Sequence, residues 1–349
     1  MRCAGCGAEV NGAQGFVARC PRAEEGDGVD HLLTPVPVLP EAWPDGEDLN
    51  PFIRYRGLMY PARLAQSLGM SDDAYCEIVR TLDEAVAGVD GRGFRETPLV
   101  LAEELGSCVW VKDETRHVGD SHKARHLMSL MLALRVWEQG TDSLAPRPRL
   151  AIASCGNAAL AAAVIARAAD WPIDVFIPED AQASVVERLS DLGATLNVCA
   201  RVPGAPGDPC MTAFRRAVAQ GAVPFSVQGP ENGLVVEGGS TIAWEIVDQL
   251  ARLERSPSSV FIQVGGGALA SSICGGLLLA QRAGRLAELP VVHTVQTQGG
   301  YPLKRAFERV RDLSSQTSLQ SAMGYARTRR GGFMWPWESA PASIAHGIL

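Results

Sequence analysis

Of the 32 basic residues only Lys112, Lys123 and Lys304 are lysines, so chemistry that needs an amine nucleophile has three places to reside. Lys123 stands out, because Ser121-His122-Lys123-Ala124-Arg125-His126 opens a long helical pattern just after a short apolar run. With Ser121 as N-cap, Lys123 falls in the first turn, where the positive end of the helix dipole disfavours an ammonium. A neutral amine can attack an aldehyde to form a Schiff base, which an ordinary charged lysine does not. The same segment also reads as a solvated lysine near a helix start, and both readings stand. Lys112, beside Asp113 and Glu114, is better placed for an ion pair than for attack. His122 and His126, four apart on one helix, read as packed or solvated features rather than catalytic ones.

Two further turns carry chemistry. Ser154-Cys155-Gly156-Asn157 lies between an apolar run and an Ala-rich helix. At a helix N-terminus it offers backbone N–H groups to a carboxylate, with Asn157 able to donate or accept; ordinary turn chemistry is the bland alternative. Gly265-Gly266-Gly267-Ala268-Leu269 follows the apolar Val260 to Val264 and opens another helix. Three glycines there let consecutive amides converge on an anion such as a phosphate, a merely structural glycine turn being the alternative. The pattern is neither G-x-G-x-x-G nor G-x-x-x-x-G-K-[ST], which argues against a dinucleotide fold and a P-loop.

Positioning these turns falls to a regular alternation. Strands are expected at Cys108–Val111, Leu150–Ala153, Ile173–Ile177, Leu196–Val198, Val260–Val264 and Pro290–Val295. Helices are expected at Ser121–Glu138, Ala158–Ala169, Gln182–Leu192, Met211–Gln220, Gly238–Leu253 and Leu269–Arg282, with one more over about 72 to 87. Such alternation predicts an α/β fold of buried parallel sheets with ligands at the carboxyl ends of the strands.

In this order, from Thr97-Pro98-Leu99 to about Tyr301, the segments resemble the fold-type II pyridoxal-phosphate enzymes of the tryptophan synthase β-like superfamily. That group includes threonine synthase, the threonine and serine dehydratases, cysteine synthase and the tryptophan synthase β chain. The resemblance implies two open parallel-sheet subdomains and a homodimer, with about 145–240 as a smaller mobile unit inside a catalytic domain over 51–349. It implies that Lys123 holds the cofactor aldehyde and acts as base. Ser154, Cys155, Gly156 and Asn157 would receive the substrate carboxylate, Asn157 also lying beside the cofactor's phenolic oxygen. Gly265, Gly266, Gly267, Ala268 and Leu269 would hold its phosphate.

Within the family the threonine synthase-like members are most similar. Asn50-Pro51-Phe52-Ile53-Arg54-Tyr55-Arg56 with Leu58 to Pro61 resembles their R-Y segment, and Glu237 to Glu245 resembles their E-G-x-x-T-x-x-x-E helix start; Val295-Gln296 with Pro302-Leu303 also fits. Ser121-His122-Lys123 departs toward tryptophan synthase β, and Cys155 replaces a common serine. The function so implied is elimination or replacement at Cβ or Cγ of a small amino acid. A serine/threonine ammonia-lyase, or a catalytically silent cofactor-binding homologue, is the alternative; a nucleotide-binding α/β protein using Gly265 to Leu269 alone is the reading from another class. Family members carry a Ser, Thr or Cys beside the pyridine nitrogen on a late strand. The tail ending Ala345-His346-Gly347-Ile348-Leu349 offers none, so a further C-terminal segment is expected.

Residues 1–50 read as a small appendage closed by a stiff linker with Pro35, Pro37, Pro40 and Pro44. Cys3-x-x-Cys6 with Cys20-Pro21 resembles the zinc-ribbon-like head of some threonine synthases; a tetrahedral zinc site would need His31, Asp27 or another fourth ligand, and a degenerate ribbon is the alternative. Nine cysteines, mostly scattered singly, are no disulfide framework. With 46% hydrophobic residues, 349 residues supply a large core and exclude a disordered chain. A net charge of −7 without a like-charged block excludes a polyanion-binding tail, and hence nucleic acid as a partner. No apolar run approaches the roughly 20 residues of a membrane span, and no hydrophobic signal core opens the chain, which reads as cytoplasmic.

Overall fold

A computed structural model describes residues 1–24, 26–141, 144–201, 207–298 and 300–334; the tail Ala345–Leu349 lies outside them. The chain begins with a small head in which β1 (Arg2–Cys3) pairs antiparallel with β2 (Leu33–Thr34). Three helices follow: α1 (Pro51–Arg54), α2 (Tyr60–Ser67) and α3 (Asp72–Asp90). Local chemistry sets their ends, since Asn50 caps α1 by accepting from Phe52 N–H and Ser71 caps α3 by accepting from Ala74 N–H. Gly91, at φ +79°, stops α3 in the left-handed conformation.

An antiparallel pair comes next, β3 (Leu99–Leu101) with β4 (Trp110–Lys112). Then α4 (Lys123–Gly140) runs through the middle of the molecule, its residues from Ala124 to Leu134 all buried. A helix apolar on every side belongs inside a core, and α4 is the core's axis. The alternating part follows as β5 (Leu150–Ala153), α5 (Asn157–Ala168), β6 (Ile173–Pro178), α6 (Ala183–Asp191), β7 (Thr195–Cys199), α7 (Pro209–Ala219) and β8 (Val223–Pro224). These strands form one parallel sheet in the order β7-β6-β5-β8. Its faces separate by alternation: Leu150 and Ile152 join the main core with α5, while Ala151 and Ala153 join Phe176, Cys210 and Phe214 under α7.

The chain ends its described part with α8 (Leu234–Arg252), β9 (Ser259–Gln263), α9 (Ala268–Arg282), β10 (Val291–Val295), α10 (Pro302–Gln316) and α11 (Leu319–Arg327). The α/β class expected from sequence holds. Among the described residues the rest of the sheet structure is two separate two-stranded sheets, the parallel pair β9–β10 and the antiparallel pair β3–β4, rather than a second open parallel sheet. Every residue of β10 is exposed, as is Phe261 on β9. No helix is long and apolar enough to cross a membrane.

Candidate functional site

The sheet order places the first candidate turn. Strands β5, β6 and β7 are laid down in one direction, and β8 then returns to the opposite side of β5. The carboxyl end of β5 is therefore a topological switch point, where open α/β sheets bind ligands. Ser154, Cys155 and Gly156 form the turn at this end, and Asn157 is the first residue of α5. Ser154 Oγ accepts from Gly156 N–H at 3.4 Å. The amides of Cys155, Asn157, Ala158 and Ala159 donate to no backbone carbonyl of the described residues, and the helix closes its first bond at Leu160 N–H to Gly156 O. These free donors face an exposed Asn157 and Cys155, which suits a carboxylate.

The glycine loop joins β9 to α9. Val264 N–H pairs with Val295 O, and the next amide to find a backbone acceptor is Ser271, on Gly267 O. Among the described residues the six amides from Gly265 to Ala270 have no backbone acceptor, which leaves them for an external one. Gly267 sits at φ +89°, and a Cβ on Gly266 or Gly267 would meet nothing within 4 Å, so the loop borders open space. Ala268 and Leu269 lie in the first turn of α9, whose dipole adds to the attraction for an anion.

Lys123 is the first residue of α4. The expected N-cap is corrected: Ser121 is extended and its Oγ donates to Gly119 O, while His122 occupies the cap position without a side-chain bond. Gly119 at φ +63° and Asp120 at φ +53° swing the chain into the helix, which takes Ser121 out of capping reach. The lowered pKa of this lysine has a different cause here. Burial, rather than the helix dipole, pulls its pKa below the ordinary lysine value. No described residue makes a hydrogen bond or ion pair with its amine. Lys112 is the contrast, held by Glu245 at 2.6 Å, Thr97 O at 2.7 Å and Gln249 at 2.9 Å.

What holds Lys123 in place is a buried charge network that sequence reading touched in pieces but did not assemble. Arg125, two residues on, is wholly buried. Its guanidinium donates to Glu114 at 2.8 and 3.0 Å, to Glu245 at 2.5 and 3.0 Å, to Thr241 Oγ1 at 3.0 Å and to Thr97 Oγ1 at 3.0 Å. Two cations, Arg125 and Lys112, meet two carboxylates, Glu114 and Glu245, with every guanidinium nitrogen engaged. The fork geometry demands arginine rather than lysine. The motif residues Thr97, Lys112, Glu114, Arg125, Thr241 and Glu245 thus serve one structural purpose, fixing the start of α4 against β4 and α8.

Close packing carries this fixation to the other two turns. Gly119 lies so near Ala161 that a Cβ would meet it at 3.3 Å, which seats the segment before Lys123 on α5 one turn from Asn157. On the other side, Gly238 and Gly239 of α8 admit the α4 backbone and the His126 ring, at 2.2 Å from Arg125 O and 2.3 Å from His126 Cε1 for an added Cβ. His126 Nδ1 donates to Val235 O at 2.8 Å, and Ser272 Oγ, in α9, lies 2.5 Å from Val236 O and 2.8 Å from Ala268 O. The starts of α4, α8 and α9 form one junction, with α5 beside it. No hydrogen bond joins Lys123 directly to Asn157 or to the glycine loop among the described residues. Gly238→Ala is expected to cost about 1–3 kcal/mol, because the atom in its way is backbone. Gly275→Ala, in the same junction's α9 but facing open space, should be neutral or stabilising by about 0.5–1 kcal/mol; thermal denaturation of the pair checks this.

Packing also fixes the histidines. Burial pushes His126 down to about 4, and His122 and His117 fall well below the usual imidazole value. Between pH 6.5 and 4 the unfolded chain takes up a proton at position 126 that the folded chain refuses. His126 therefore makes folding less favourable as pH falls through that window, by about 3 kcal/mol at its lower end. Glu237, raised to about 7 by burial, acts oppositely, its stabilising protonation being lost as pH rises toward 7. The quantity to follow is thus the difference in urea stability between the native chain and His126→Asn, which should shrink or reverse from pH 7 to pH 4.5.

The profile of the family described as pyridoxal-phosphate dependent enzymes matches residues 92–339. The chain belongs to this family. Its relatives include a serine dehydratase-like protein of Mus musculus, 26% identical over 236 residues, or 66% of this chain and 65% of that protein. The L-serine dehydratase/L-threonine deaminase of Homo sapiens is 26% identical over 231 residues, covering 65% of this chain and 63% of its own. This family member thus spans about two thirds of the length of those relatives. Among solved structures it is similar to threonine deaminase isoform 2 from Solanum lycopersicum, with TM-score 0.53, 18% identity and coverage of 94% of this chain and 74% of that one. Maize serine racemase gives TM-score 0.52 at 18% identity, covering 77% and 69%. These relatives favour the ammonia-lyase alternative over the threonine synthase-like reading.

Proposed function

We propose that the chain binds pyridoxal phosphate through Lys123 and serves as an ammonia-lyase for small β-hydroxy amino acids such as serine or threonine. One observation carries the reading: Lys123 is a half-buried, desolvated lysine with no partner among the described residues and with its pKa lowered, at the junction that joins two turns rich in free amides. Those residues fit the cofactor, since the open glycine loop has donors and room for a phosphate and Lys123 has no competing carboxylate. The bound cofactor supplies an aldehyde for covalent attachment and an electron sink for charge at the substrate's Cα.

The chain's own residues supply the rest. The amides of Gly265 to Ala270 neutralise the phosphate, with Gly267, Ala268 and Leu269 at the helix start. Ser154, Cys155, Gly156 and Asn157 would take the substrate carboxylate and orient its Cα–H bond, with the exposed Asn157 side-chain amide available to hydrogen-bond the cofactor. Lys123 Nζ, whose desolvation lowers its pKa and so favours the neutral amine, would take the α-proton. Loss of the β-hydroxyl as water, followed by hydrolysis of the released imine by one water molecule, would give ammonia and a 2-oxo acid in equal amounts. Relatives named serine dehydratase and threonine deaminase support this choice of substrate.

The test loads the purified chain with pyridoxal phosphate and supplies L-serine or L-threonine, following ammonia and 2-oxo acid. Equal release of both products is expected. Cofactor retention without product from either amino acid would contradict the lyase reading and favour a silent homologue.

A further inference from the structure

The head over residues 1–34 has little with which to hold itself together. Its buried apolar set is Cys3, Ala8, Cys20 and Leu33, and its strands are two residues each. A segment with so small a core needs a covalent or metal staple. A disulfide is absent: all nine cysteines are free, and Cys6 Sγ stands 3.7 Å from Cys20 Sγ, far beyond a bond of about 2.05 Å.

The head instead gathers four ligand atoms, from Cys3, Cys6, Cys20 and His31, all within 4.8 Å of one another. Tetrahedral zinc, with Zn–S of about 2.3 Å and Zn–N of about 2.0 Å, spaces neighbouring ligand atoms by about 3.5–3.8 Å. Two opposite edges already match, with Cys6 Sγ to Cys20 Sγ at 3.7 Å and Cys3 Sγ to His31 Nδ1 at 3.6 Å. The other nitrogen of His31, Nε2, lies 2.7 Å from Asp27 Oδ2. That carboxylate accepts the Nε2 proton and leaves Nδ1 bare toward the thiols, the carboxylate–histidine arrangement that orients metal ligands. Asp27 is held in turn by the amides of Val29 at 2.9 Å and Glu24 at 3.3 Å. Cys6 N–H also points at Cys3 Sγ, at 3.5 Å.

We propose that Cys3, Cys6, Cys20 and His31 form a closed tetrahedral zinc site, oriented by Asp27, which holds the head together. Four protein ligands leave no open position for substrate or water, and the sulfur-rich set selects zinc over magnesium or calcium. The head so fixed meets the body at three places. Gly12 O accepts from Trp137 Nε1 at 2.6 Å, Arg330 N–H donates to Gly28 O at 3.1 Å, and Leu33 O packs against Gly233 at the head of α8. The last contact supports the same end of α8 whose Val235 O holds His126.

The experiment measures zinc in the full chain after dialysis against metal-free buffer, with cobalt exchanged for zinc in a second sample. About one zinc per chain is expected, and cobalt should show the intense d–d bands and thiolate charge transfer of a tetrahedral sulfur-rich site. Asp27→Asn should keep the stoichiometry and weaken metal affinity about 10–100-fold, while Cys20→Ser and His31→Ala should abolish the tetrahedral cobalt spectrum. The cobalt spectrum of the unsubstituted chain makes the test independent of whether those variants fold. Metal-free protein from zinc-supplemented cells, an octahedral cobalt spectrum, or a Cys6–Cys20 disulfide in freshly purified chain would each overturn the proposal.

Discussion

Lys123→Ala is expected to lower product formation by about 10²- to 10⁴-fold, the range for removing a positioned proton-transfer group, and to abolish covalent attachment of the cofactor. The same substitution should leave the melting temperature unchanged or raise it. Lys123 makes no ion pair, and its amine is desolvated without recompense, so its removal relieves a burial cost instead of breaking a contact. Lys123→Arg should be as inactive as the alanine variant, because a guanidinium does not give up its proton. Steady-state assays with thermal melts on the same samples separate a lost base from a lost fold. A nucleotide-binding α/β protein that used Gly265 to Leu269 alone would bind its ligand undisturbed in either variant.

The opposite outcome is expected at Glu245. Its carboxylate is about 1% exposed and meets Arg125, Lys112 and the Thr97 amide. Glu245→Ala would leave Lys112 without its carboxylate partner and Arg125 with Glu114 alone. Breaking a buried pair in this way costs about 3–5 kcal/mol, chiefly the desolvation of the stranded cation. Urea unfolding should show that loss, and catalysis should fall with it because the first turn of α4 loses its anchor. Glu245→Gln keeps the hydrogen-bonding shape and removes the charge, so its loss should be smaller. A change under about 1 kcal/mol for the alanine variant would show that the network does not hold α4.

How far the sequence foretells this arrangement differs from element to element. Strand β5 is found at its expected bounds because Leu150 to Ala153 is a pure apolar run between polar neighbours. The glycine loop and the Ser154 turn are legible for the same reason, as abrupt changes between a strand pattern and a helix pattern. Other features depend on packing that local pattern does not encode. Gly238-Gly239 reads as a helix start, yet α8 begins at Leu234, since those glycines are there to admit Arg125 O and the His126 ring. Strand β3 escapes notice because three residues of an antiparallel pair leave almost no periodicity, and α2 because eight residues with Pro61 in the first turn carry little helical pattern. The network on Arg125 is hidden most completely. Its partner Glu245 lies 120 residues away, and nothing along the chain announces the pairing. In the head, Cys3, Cys6 and Cys20 stand out by spacing, whereas His31 and Asp27 can be told apart as ligand and orienting group only once Nδ1 and Nε2 are placed.

The central claim is that Lys123, a desolvated lysine amine with no partner among the described residues, is the cofactor's anchor, and peptide mapping tests it most directly. The chain is incubated with pyridoxal phosphate, reduced with borohydride, digested and sequenced by mass spectrometry. With Lys112, Lys123, Lys304 and the N-terminal amine as the available sites, the pyridoxyl group is expected on Lys123 at one per chain. A label on Lys304 or Lys112, or none at saturating cofactor, would contradict the account.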